Sequence, residues 1–209
     1  MDHEQRDVAA RVQDSEITAR IVRNIADIER DFHFASGPLS ERLMREMIQS
    51  IVKAADNHWI VVEKEPSAFI TTPDWKVNGV GNGDMWLELS EICQDELDYS
   101  WIAVAVRGGR TQLTLELMFR RGLADAAETM IRNDKAVAAL VKLGFVRDQD
   151  EPRLFLPIHI QAEALAIGLE QNDLAEALAP IGRAVTVATT AIAELNKLIE
   201  QVRTSGKRR

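Results

Sequence analysis

Apolar residues recur along this chain first at helical spacing, then at strand spacing, then at helical spacing again. Ile17, Ile21, Ile25, Ile28 and Phe32 fall at steps of three and four, the face of an amphipathic helix from about residue 14 to 33, with Asp14 or Ser15 as its cap. Gly37-Pro38 then predicts a break. Ser40 opens a second helix whose buried stripe is Leu43, Met44, Met47, Ile48, Ile51 and Val52, with Glu41 in the first turn suiting the helix dipole.

At Trp59 the period drops to two. Trp59 to Glu63 and Phe69 to Thr72 read as paired strands around a Pro66-Ser67 turn, Pro73 to Asp84 as a glycine-bearing loop, and Met85 to Ser90 as a third strand. Trp101 to Arg107 and Arg110 to Phe119 flank Gly108-Gly109, which predicts a β-hairpin because two glycines supply the positive φ of a type I′ turn. Leu123 to Leu143 reads as a helix closed by Gly144, Arg153 to Ile160 as a last strand, and helices follow at about Ala162 to Gln171 and Asp173 to Val202. The order predicts an α+β fold, a mostly antiparallel sheet of about five to six strands bracketed by N-terminal and C-terminal helices. The expected division is an N-terminal helix in residues 1–37, an α+β core in 38–170, and a long C-terminal helix with a basic tail in 171–209.

The last helix carries the most regular pattern. Leu174, Leu178, Ile181, Val185, Ala188, Ile192, Leu195, Ile199 and Val202 alternate steps of four and three, the spacing of a coiled-coil seam. Its flanks are small (Ala177, Ala184 and Ala191 among them) where an exposed coil carries charges, and Pro180 predicts a kink or a fresh start. Two readings stay open. The seam completes the domain's own core, or Val185, Ile192, Leu195, Ile199 and Val202 meet a second copy, with the stretch from Ile192 onward best suited to it.

Charge narrows the functions. With 25 basic against 33 acidic residues the net charge is −8, and an acidic surface repels phosphate backbones, leaving only the tail of Arg203, Lys207, Arg208 and Arg209 as a contact for nucleic acid. Cys93 is the only cysteine, so no internal disulfide is expected. The absence of a signal-peptide pattern and of a long apolar run predicts a cytoplasmic protein without a membrane span.

Candidate chemistry is sparse. Strand alternation puts Trp86, Glu88, Trp101, Arg107 and Glu116 on one face of the sheet, where two indoles and three charges would form a ligand- or peptide-binding platform, or a half-solvated face with a cross-strand ion pair. Pro73-Asp74 followed by Glu88-Leu89-Ser90 imitates part of the PD-(D/E)xK nuclease pattern, but Ser90 stands where the lysine belongs. The four histidines are scattered, so no metal site, cofactor or catalytic constellation is expected. The leading expectation is a non-catalytic assembly, adaptor or regulatory protein, homo-oligomeric or bound to a protein partner. A small-ligand or peptide binder using the Trp86/Trp101 face is the alternative, and a metal-dependent nuclease-like enzyme the second.

Overall fold

Proline 38 does not end the N-terminal helix. In the computed structural model, which describes residues 3–64, 67–75, 83–92, 101–106 and 111–206 (side chains from residue 15 onward, Lys64 apart), helix α1 (His3–Phe34) passes through a π turn (Ala35–Leu39) into α2 (Ser40–Ala54). A prolyl ring in an α-helix collides with the carbonyl four residues back, whereas a π turn bonds over five residues and leaves room for it. The Ser40 hydroxyl donates to the Ala35 carbonyl at 2.6 Å, satisfying one acceptor of the widened turn. The break expected at Gly37-Pro38 is therefore a local widening, and α1 begins well before Asp14.

Six strands form one antiparallel sheet: β1 (Ile60–Lys64), β2 (Ser67–Thr71), β3 (Met85–Ile92), β4 (Gln112–Phe119), β5 (Val146–Arg147) and β6 (Leu154–Ile158), in the order β1-β2-β3-β4-β6-β5. The α+β class and the antiparallel sheet between terminal helices are as the hydrophobic pattern predicts. One prediction fails. Trp101–Val106 is a short helix, α3, so the expected hairpin does not form from it, while Arg107 and the two glycines lie outside the described residues. Val104 and Ala105 of α3 are buried, and the Ala105 carbonyl accepts from the Ile160 amide, so tertiary contacts hold as helix a run whose local preference is extended. The neighbour β4 takes instead is β6.

Alternation along the strands puts Leu87, Leu89, Leu113, Leu115 and Leu117 on one face, buried in a single core with α2, α4 (Ala124–Ile131), α5 (Asp134–Lys142), α7 (Ala179–Thr190) and α8 (Ile192–Gly206). The helix expected from 123 to 143 is two helices, because the Asn133 side chain accepts from the Lys135 amide and caps a new start. Gly144 takes the positive φ that its position as a helix stop requires. Helix α6 (Ala162–Gln171) follows the last strand, and a β-carbon at its Gly168 would stand 2.6 Å from the Asp173 carbonyl oxygen.

The C-terminal helix is also divided. Pro180 lies in the first turn of α7, the fresh start it predicts. A second bend at Ala191 separates α7 from α8, just after Thr186, Thr189 and Thr190 each donate to the carbonyl four residues back, an arrangement that bends helices. Among the described residues, no helix is long and apolar enough to cross a membrane.

Candidate functional site

Helices cover one face of the sheet, and the other carries the candidate residues. Register sets Phe69, Glu88, Glu116 and Phe155 in one row across β2, β3, β4 and β6. Trp86 stands one pair along, its ring 6.3 Å from Phe69 and tilted by 56°. Three of the five residues named from the sequence, Trp86, Glu88 and Glu116, therefore share this face. Trp101 does not, because it sits at the start of α3 and packs toward the helical side. Arg107 lies outside the described residues.

Each carboxylate on this face has a protein donor. The Trp86 indole N–H donates to Glu88 Oε2 at 2.9 Å, and the Ser90 hydroxyl donates to Glu116, whose Oε1 also forms an ion pair with Arg153 Nε at 3.6 Å. Glu116 is only 7 % exposed. Burial raises its pKa above the ordinary carboxylate value; the Arg153 guanidinium and the Ser90 hydroxyl pull it back, and the neighbouring Glu88 and Glu151 push it up again. Arg153 takes the role that Arg107 has in the sequence reading. The signal for it is in the last strand read from Arg153 to Ile160, where alternation sets Arg153 on the face opposite Leu154 and Leu156, although the strand itself starts at Leu154. Asp74, the other acid of the nuclease pattern, is at the opposite side of the domain, in the short 3-10 turn Pro73–Trp75 whose Asp74 carbonyl accepts from Arg203. Among the described residues no three His, Cys, Asp or Glu side chains gather as metal ligands do.

The residues named as an interface are in the core. Val185, Leu195, Ile199 and Val202 are buried, and Ile192 packs half-buried against them. The small flanks Ala177, Ala184 and Ala191 are buried too, so the seam is a wide apolar face that lies against the sheet and its neighbouring helices. Three polar contacts fix it there. Trp59 Nε1 donates to Thr189 Oγ1 at 2.8 Å, Trp75 Nε1 donates to Asn196 Oδ1 at 2.7 Å, and the buried Asp84 carboxylate accepts from Arg203 Nε at 2.9 Å and Arg120 Nε at 2.8 Å. Arg203, counted with the basic tail by sequence, is thus part of this internal clasp; residues 207–209 lie outside the described residues.

Among the described residues, exposed large apolar side chains are concentrated on α1. From residue 15 to 34 every side chain but that of Ala19 is exposed. Ile17, Ile21, Ile25 and Ile28 are 39 to 45 % exposed, and Phe32 is 62 % exposed. Charged residues flank this stripe: Glu16, Arg20, Arg23, Asp27, Glu29, Arg30 and Asp31, with Asp27 and Arg30 paired at 2.9 Å. Spacing alone marks this stripe as one face of an amphipathic helix; charged flanks are what distinguish an exposed seam from a core-facing one. Those flanks identify α1.

Beside the root of α1 lies an open cavity of about 1060 Å³, whose lining includes Ser36, Ser40, Met44, Ile48 and Trp101. The chain matches no family model, and no curated protein or solved structure shows significant similarity to it.

Proposed function

We propose that this is an assembly or adaptor protein that works through protein–protein contact and is homo-oligomeric, with α1 as the contact element. The observation that supports the reading is the stripe Ile17, Ile21, Ile25, Ile28 and Phe32, which is solvent-exposed along the described side chains of α1. Helices owe most of their stability to packing of an amphipathic face, and an isolated one is marginal in water. A stripe this long in solvent is a face without its counterpart.

The magnitudes favour a reversible association. Covering a half-exposed isoleucine is worth about 1 kcal/mol, so five side chains on each of two copies give on the order of 10 kcal/mol gross, against roughly 4–15 kcal/mol for lost translational and rotational freedom. Sedimentation across a concentration series tests the reading. The intact chain should pass from monomer to oligomer as concentration rises, and an Ile21→Ser, Ile25→Ser, Ile28→Ser variant should stay monomeric at every concentration. An oligomer that survives these substitutions, or an intact chain that stays monomeric throughout, removes the proposal.

A further inference from the structure

Resting on that reading, we infer that the occupant of the α1 stripe is the α1 stripe of a second copy, running antiparallel and crossing near Ile25. Charge along the helix sets the direction. Residues 15–23 hold Arg20 and Arg23 against one carboxylate, Glu16, whereas residues 24–34 hold Asp27, Glu29 and Asp31 against one arginine, Arg30. Parallel copies would face like with like. Antiparallel copies bring the basic half of each beside the acidic half of the other, and opposite charges beside a helix seam are what set orientation.

The stripe is compatible with a twofold axis. With the axis beside Ile25, between residues 24 and 25, Ile21 of one copy meets Ile28 of the second, and Ile17 meets Phe32, so each patch is its own complement, as a symmetric dimer requires. Only isoleucines and one phenylalanine fill these layers, and no polar residue has to be buried opposite itself.

Past Phe32 the exposed row ends at Ser36, because Ser40, Met44 and Ile48 are buried. Steps of four lead from Phe32 to Ser36, Ser40, Met44 and Ile48, and the π turn takes up the extra residue that keeps these steps on one side of the axis. Those last four residues, with Trp101, belong to the lining of the open cavity. The contact carried by exposed side chains is the stripe from Ile17 to Phe32, about 22 Å long.

Disulfide trapping tests the orientation in the full chain, with Cys93→Ser removing the one native thiol and a single new cysteine at Ile25→Cys, Ile17→Cys or Phe32→Cys. These positions are exposed, and urea unfolding of each variant checks that the core is unaltered. Under mild oxidation Ile25→Cys should form covalent dimers on its own, Ile17→Cys and Phe32→Cys should not, and a mixture of those two should give the mixed dimer. If Ile17→Cys and Phe32→Cys each dimerise alone, the pairing is parallel: the inference falls and assembly through α1 stands. If no position cross-links while the chain sediments as an oligomer, the second copy docks elsewhere and the inference falls as well. A chain that sediments as a monomer throughout removes both.

Discussion

Helix α1 and the pair α7–α8 each present a stripe of isoleucine and other apolar residues at steps of three and four, yet in α8 Leu195 and Val202 are 0 % exposed while in α1 Phe32 is 62 % exposed. What differs is the flank. Alanine, glycine and threonine beside the C-terminal seam let it lie flat on a broad surface, and two tryptophans and Asp84 fasten it there. Arginines and carboxylates flank the α1 stripe, as they flank a seam that meets another helix. Spacing says that a helix has an apolar side; the width of that side says what covers it.

Substitution at matched positions should give the widest separation between the two stripes. Leu195→Ala should lower the unfolding free energy by about 2–5 kcal/mol in urea titration, as truncation of a fully buried leucine does. Ile25→Ala, on the exposed stripe, should change it by less than about 0.5 kcal/mol at concentrations where the chain is monomeric. Equal losses at the two positions would break the comparison.

Loss of the clasp should come next. Asp84→Ala leaves Arg120 and Arg203 without their shared acceptor and should lower stability by about 2 kcal/mol, loosening α8 first. Hydrogen exchange resolved along α8 would show this as faster exchange there than in β3 and β4. Uniform exchange would mean that the clasp does not hold the helix.

The smallest effect concerns the sheet face that carries Glu116. Glu116 has its pKa raised in the folded chain, so the folded state holds its proton more tightly than the unfolded one. The stability this group contributes is present below the ordinary glutamate pKa of about 4.5 and is lost as pH rises through the folded value. Glu116→Gln should remove that part of the slope, so the ratio of wild-type to variant stability should fall as pH climbs from 4 upward. A rising ratio would mean that Arg153, not burial, dominates at this carboxyl.

Much of the fold was legible because it rests on local periodicity. The strands from Ile60 to Phe119, the stop at Gly144 and the restart at Pro180 follow from residue type and spacing. The misreadings have a common cause. Trp101–Val106 alternates like a strand over six residues, too few to separate one period from another, and its packing between α2 and β4 decides for helix. Pro38 reads as a break because a local rule cannot foresee a π turn. On the candidate face, alternation alone grouped Trp86 with Glu88 and Glu116, but the partner of Glu116 is Arg153, brought across by the β4–β6 pairing of distant segments.

The sequence by itself determined the α+β class, the antiparallel strands and the existence of two apolar helical stripes, because each depends on where neighbouring side chains point. Only the tertiary structure decided which stripe the domain keeps for its own core. That choice depends on the width of each apolar face, and the wide, small-flanked α7–α8 face joins α2, α4 and α5 in the core. Helix α1 is left in solvent with a seam of its own.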